Sequence, residues 1–202
     1  VGGLFVFESK LTQEFRLHFD EKIAEMFQSI GIREGSVWIE VFHDGENYYF
    51  NEVGFRYGGS VSIYPVDYFY QINQVAADIH YALTGESCIS EHTSLIRSTL
   101  PRKKYYCIYP VHINAGTISS ISGLDKIAQL ENIVYLATTK YLHDRIESSG
   151  SFSQVFALVH FVCNTTEECI QTIDRIHQML VVFDEHGNNM VNRMLDVGKI
   201  IF

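Results

Sequence analysis

The stretch that most constrains the fold is residues 37–56, VWIEVFHDGENYYFNEVGFR. Two runs rich in Val, Ile, Phe, Tyr and Trp flank the polar centre HDGEN, and such side chains suit a pleated, half-buried surface. Runs of this length around a short, glycine-containing polar centre predict an antiparallel hairpin. Each run carries one carboxylate, Glu40 and Glu52. With the turn centred near Glu46, Glu40 stands opposite Glu52. The side-chain period of two then groups Phe50, Glu52, Gly54 and Arg56 on one face and sends Asn51 to the other.

Directly opposed residues have Cβ atoms roughly 4.5–5.5 Å apart, where like charges repel. The repulsion is relieved by splaying the carboxylates into water, by a raised pKa, or by a cation held between them. Hard cations such as Mg²⁺ take one or two carboxylates together with phosphate oxygens. Arg56, on the same face, is suited to bidentate binding of a phosphate or carboxylate. Gly58 and Gly59 allow close approach and can turn N–H donors toward an anion. Spacing alone equally fits two solvent-facing glutamates beside an exposed arginine, and a one-residue slip in register would separate the faces.

Before the hairpin, Phe15, Phe19, Ile23, Met26, Phe27 and Ile30 recur at helical steps, with Gly31 placed to end the helix. After it, SVSIYP reads as extended up to Pro65. Asp67 then opens an expected helix over 67–83, with Phe69, Ile72, Val75, Ala76, Ile79 and Leu83 inward and Gly85 closing it. Residues 89–105, polar and holding Pro101 with Arg102, Lys103 and Lys104, are the expected linker between domains at 1–88 and 106–202. Beyond it lie short strands, YYCIYPVHI, GTISSIS, IVYLATT and VFALVHFV. One helix at about 167–180 interrupts them, opened by the capping box Thr165–Glu168. Strands grouped around a few helices, without βα alternation, predict an α+β fold.

Of the 202 residues, 47% are hydrophobic and 13% aromatic, enough for an ordinary core, and the net charge is −9. A negative field attracts neither a phosphate backbone nor an anionic membrane, so nucleic acid and membrane are not expected partners. No stretch reaches the ~18 apolar residues of a membrane span. Cys88, Cys107, Cys163 and Cys169 show no C-x-x-C pair, and reduced, buried thiols with a cytoplasmic location are the expected state. The nine histidines include no H-x-x-x-H pair, so none is a candidate ligand by spacing.

The segment GSVWIEVFHDGENYYFNEVGFRYGGS resembles the metal-binding hairpin of the ATP-grasp superfamily, carboxylate–amine ligase type. Glu40 matches the first metal-binding acid, and Glu52 matches the acid of the E-x-N-x-R motif. Arg56 matches its arginine, and Gly54 stands where the family has Asn as a further metal ligand. The resemblance implies ATP and Mg²⁺ (or Mn²⁺) as cofactors, held by Glu40 and Glu52, with Arg56 contacting the phosphate or acyl-phosphate. Gly59 and Ser60 would border the acyl substrate, a small carboxylate.

Residues 106–202 resemble the small β-rich C-terminal domain of these ligases, through HINAGTISSISGLDKI, TTEECIQTIDRI and VVFDEHGNNM. The expected architecture is the second half of an ATP-grasp domain, an antiparallel sheet with flanking helices, plus that domain with its one helix. The family's glycine-rich flap, phosphate-binding lysines and N-terminal substrate domain have no counterpart here. The chain therefore reads as the C-terminal half of a ligase, inactive alone, with a homodimer as the assembly considered. A degenerate, non-catalytic binding or assembly module is the alternative.

Overall fold

A computed structural model describes residues 3–59, 61–89, 104–193, 195, 196 and 200. The chain forms two compact units, residues 1–14 with 102–202, and residues 15–101. Ser60 and most of the expected linker, residues 90–103, lie outside the described residues. No described helix is long and apolar enough to cross a membrane.

In the unit made by 1–14 and 102–202, strands β1 (Phe5–Phe7), β4 (Tyr105–His112), β6 (Ile133–Thr138) and β8 (Val155–Cys163) form an antiparallel sheet ordered β1-β4-β8-β6. β1, grouped by sequence with the first domain, thus joins the sheet of the second through pairs such as Val6↔Cys107. β8 is central and buried along nearly its whole length, which is why VFALVHFV is apolar without alternation. A second sheet joins β5 (Gly116–Ser122) to β7 (Arg145–Ile146) and β9 (Val181–Asp184). β7 and β9 are too short to be signalled by periodicity. β9 is fixed instead by the following turn, where Asp184 accepts hydrogen bonds from the N–H groups of His186 (2.9 Å) and Asn188 (2.8 Å).

The expected capped helix is α5 (Thr166–Met179), and Thr165 Oγ1 accepts from the Glu168 N–H at 3.2 Å. The Glu168 carboxylate reaches back one residue further than a capping box requires, accepting from the Asn164 N–H at 2.6 Å. A short helix, α4 (Leu124–Ala128), precedes β6, and Ile127 is buried from it. Phe156, Phe161, Ile118, Ile173, Ile176 and Val182 form the centre of one continuous core.

The unit of residues 15–101 is built differently. Helix α1 (Lys10–Ser29) lays Phe15 and Phe19 against Tyr48 and Phe50 of the hairpin β2 (Trp38–His43) and β3 (Tyr48–Gly54), with ring centroids 5.0–5.9 Å apart within the cluster. Phe27 packs on Phe55 at 5.7 Å.

The single helix expected over 67–83 is two helices, α2 (Ile63–Tyr70) and α3 (Gln74–Thr84). Residues 61–65 of SVSIYP are not extended, because Pro65 lies in the first turn of α2, where its missing N–H would have no intrahelical partner anyway. Gln71 adopts a left-handed conformation, and the Asn73 side chain caps α3 by accepting from the Ala76 N–H at 3.0 Å. That break resets the helical phase. Phe69 and Ile72 are buried as expected, but α3 turns Ala77 inward and leaves Val75, Ala76, Ile79 and Leu83 exposed. Gly85 ends α3 at φ 73°, as its position predicts.

Candidate functional site

The hairpin turn is set by Asp44. Its carboxylate accepts from the N–H groups of Asn47 (2.8 Å) and Glu46 (2.9 Å) and from the Tyr49 hydroxyl (2.8 Å). Those donors, Asn47 first, hold the Asp44 carboxyl at about 2. Counting back from this turn, His43 pairs with Tyr48, Phe42 with Tyr49 and Val41 with Phe50. The register then shifts, and Glu40 pairs with Glu52, Ile39 with Val53 and Trp38 with Gly54. The two acids oppose each other directly, as expected, but through this shift: the turn is centred between Gly45 and Glu46, which alone would pair Glu40 with Asn51.

The shift is a β-bulge, with Asn51 as the extra residue on β3. A bulge breaks the alternation of faces, and two expectations fail for that reason. Phe50 does not share a face with Glu52 and Arg56: before the bulge Tyr48 and Phe50 pack on α1, whereas after it Phe55 does. Asn51 does not point away from the acids. Its Nδ2 donates to Glu40 Oε1 at 2.7 Å. Glu40, opposed by Glu52 and hydrogen-bonded by Asn51, is half-buried, and Asn51 and Glu52 are exposed.

Arg56 lies on the Glu52 side. A Cβ built on Gly54 would meet Arg56 Cγ and Nε at 3.5 Å and Trp38 Cε3 at 3.7 Å. The guanidinium centre sits 5.0 Å from the Trp38 ring, a cation–π contact, and Nη1 donates to the Tyr57 carbonyl at 3.0 Å. Gly54 thus leaves the space along which the arginine stem runs. The loop that follows is anchored by Asp78 of α3, whose Oδ2 accepts from the Tyr57 hydroxyl (2.7 Å) and from Ser36 Oγ (3.0 Å). Burial, with the Asp78 carboxylate, raises the Tyr57 hydroxyl above its ordinary value.

The two loop glycines differ. A Cβ at Gly58 would approach Ser62 Oγ to 2.7 Å and Trp38 Cδ1 to 3.0 Å, so a larger residue requires the Ser62 hydroxyl and the Trp38 ring to shift. Gly59 is exposed with nothing within 4 Å of such a Cβ, leaving it open to a ligand. Ser60, the remaining expected contact, falls outside the described residues.

No family model matches the chain, and no curated protein does. Solved structures do. The chain superposes on an L-amino acid ligase from Bacillus licheniformis with a TM-score of 0.73 and 21% identity, covering 92% of this chain and 44% of that one. It superposes on a phosphoribosylglycinamide synthetase from Anaerococcus prevotii with a TM-score of 0.72 and 13% identity, covering 92% and 46%. The chain shares the fold of the matched part of each of these ATP-grasp ligases. A third ATP-grasp structure is the biotin carboxylase domain dimer of Hydrogenobacter thermophilus 2-oxoglutarate carboxylase, in complex with MgADP, ADP and bicarbonate. It matches with a TM-score of 0.64 and 14% identity, over 94% of this chain and 39% of that one. The chain spans less than half the length of each of these structures.

Proposed function

We propose that this chain supplies the cation- and phosphate-holding hairpin of an ATP-grasp ligase, which activates a carboxylate as an acyl-phosphate and passes it to an amine or similar nucleophile. The observation that carries this reading is the direct opposition of Glu40 and Glu52, with Asn51 bulged onto Glu40. Two carboxylates and an amide oxygen are the donor chemistry that Mg²⁺ or Mn²⁺ takes. In this reading Asn51 provides the amide oxygen that Gly54 lacks, delivered by the bulge rather than by alternation. A divalent ion bound there neutralises charge on a transferred phosphoryl group. Glu40 and Glu52 would fix its position. Arg56 would swing from the Tyr57 carbonyl to the phosphoryl or acyl-phosphate oxygens, a preorganised electrostatic role. Gly59, with Ser60, would admit the carboxylate substrate.

The exposed apolar side chains of residues 15–101 support a longer parent. Leu17, Met26, Phe42, Phe50, Phe55 and Leu83 are 47–81% exposed. We assign their cover to the remaining portion of the ligase, which would also carry most nucleotide contacts and leave this chain inactive alone. A homodimer is the other cover for these side chains.

One observation favours a second reading, a non-catalytic ATP-grasp-like module: Arg56 is already engaged by Trp38 and the Tyr57 carbonyl. Calorimetry of the full-length protein with Mn²⁺–ATP separates the two readings, with ADP release measured alongside. The ligase reading expects binding that Glu52→Gln weakens at least tenfold, and carboxylate-dependent ADP release that Arg56→Ala abolishes. Binding unchanged by Glu52→Gln would overturn the metal site. Metal-dependent binding without ADP release would establish the non-catalytic module.

A further inference from the structure

Three cysteines from three elements converge in the core of the unit formed by 1–14 and 102–202. Cys107 lies on β4, Cys163 ends β8, and Cys169 sits near the start of α5. All three are buried and free. The Cys107 and Cys163 sulfurs are 3.7 Å apart, and the three Sγ atoms all lie within 4.8 Å of one another. An ion held by thiolates at about 2.3 Å spaces neighbouring sulfurs roughly 3.8–4.0 Å apart in a tetrahedral or trigonal site. The cluster brackets that spacing, so closing on an ion needs sulfur shifts of less than about 1 Å.

Two further features locate the cluster. A cleft of about 360 Å³ is lined by Cys163 together with Lys104, Asn164, Glu168 and Arg175. Cys169 lies in the N-terminal part of a helix of 14 residues, which fixes its sulfur beside those of Cys107 and Cys163. The donor set is sulfur only, which selects thiophilic ions over Mg²⁺ or Ca²⁺.

We propose that Cys107, Cys163 and Cys169 form a trithiolate site for a single thiophilic d¹⁰ cation, Zn(II) or Cu(I), distinct from the hairpin and independent of its assignment. Binding forms three metal–sulfur bonds and releases the three thiol protons to solvent. The test is an anaerobic titration of the reduced 202-residue chain with Cd(II), read by its ultraviolet sulfur-to-metal charge-transfer band. The expected result is saturation at a single equivalent, kept in Cys88→Ser and weakened at least tenfold in Cys163→Ser and Cys169→Ala. Displacement of Cd(II) by Cu(I), or of pre-bound Zn(II) by Cd(II), supports the site. Should the variants fail to fold, X-ray absorption of the Zn(II)-loaded wild type decides, with sulfur neighbours at about 2.3 Å expected. No band in the folded wild type, a band lost in Cys88→Ser, a shell of oxygen and nitrogen only, or a Cys107–Cys163 disulfide under these conditions overturns the proposal.

Discussion

Residues 102–202 and residues 15–101 hold similar kinds of side chain and use them in opposite ways. The former close a core around Phe156, Phe161, Ile173 and Ile176, all fully buried. Among the described residues of the latter, the buried hydrophobics are Phe69, Ile72 and Ala77, while Phe42, Phe50, Phe55 and Leu83 are exposed. The first unit is held by packing, which is sensitive to single methylene groups. The second is held by an aromatic cluster and by polar anchors such as Ser36 and Tyr57 on Asp78. The region with the weaker core carries the candidate site. Its apolar surface, under the proposed function, belongs to an interface with the rest of a ligase.

The contrast is broken most sharply at glycine. Gly123 has φ 96°, and a Cβ there would collide with the Met179 carbonyl oxygen. Gly123→Ala is expected to lose roughly 4 kcal/mol or more, because neither backbone can yield without breaking the α5–β9 connection. Urea unfolding followed by far-ultraviolet circular dichroism reads this. Gly59→Ala, facing open space in the other unit, should stay within about 0.5 kcal/mol of wild type in the same assay.

Truncation of aromatic rings sharpens the comparison at the next scale. Phe156→Ala should cost about 3–5 kcal/mol by opening a cavity in the closed core. Phe50 is 49% exposed, so Phe50→Ala should cost about 1 kcal/mol through lost contact with Phe15 and Phe19. Trp38, the sole tryptophan, reports the hairpin by fluorescence, and amide exchange of β8 reports the core. Equal losses at the two positions would refute the distinction between the units.

The smallest effect is a pH dependence confined to the hairpin. Asp44 is held at about 2 in the folded chain against an ordinary 3.8. A depressed carboxyl contributes stability that is complete above the unfolded value and is lost as the pH falls through the folded one. Trp38 fluorescence should therefore show the hairpin weakening as pH drops from about 3.8 toward about 2, and Asp44→Asn should flatten that slope.

What the sequence made legible follows the same division. In the packed unit the long signals sufficed: an unbroken apolar run gave β8, and Thr165–Glu168 with its stripe gave α5. β7 and β9 escaped because two- and four-residue strands carry no period and are defined by their partners. The Cys107–Cys163–Cys169 cluster escaped because its members meet only through the β4–β8 register and the placement of α5.

In the other unit the Glu40–Glu52 pairing, expected from a turn centred on Glu46, is produced instead by the bulge, while the turn itself and the Gly85 stop were readable from local chemistry. The helix break at Gln71–Asn73 and the bulge at Asn51 were not, since each is a single-residue irregularity that resets a period. The bulge matters most for the site, because it reverses the side on which Asn51 lies.

The direct test is therefore residue-resolved. In ¹⁵N-labelled chain titrated with Mn²⁺, paramagnetic broadening should centre on Glu40, Asn51 and Glu52, and Glu52→Gln should remove it. Asn51→Ala should weaken it severalfold, while Asn47→Ala in the adjacent turn should not. Broadening spread over other acidic side chains, or unchanged in Glu52→Gln, would contradict the assignment of this hairpin as a cation site.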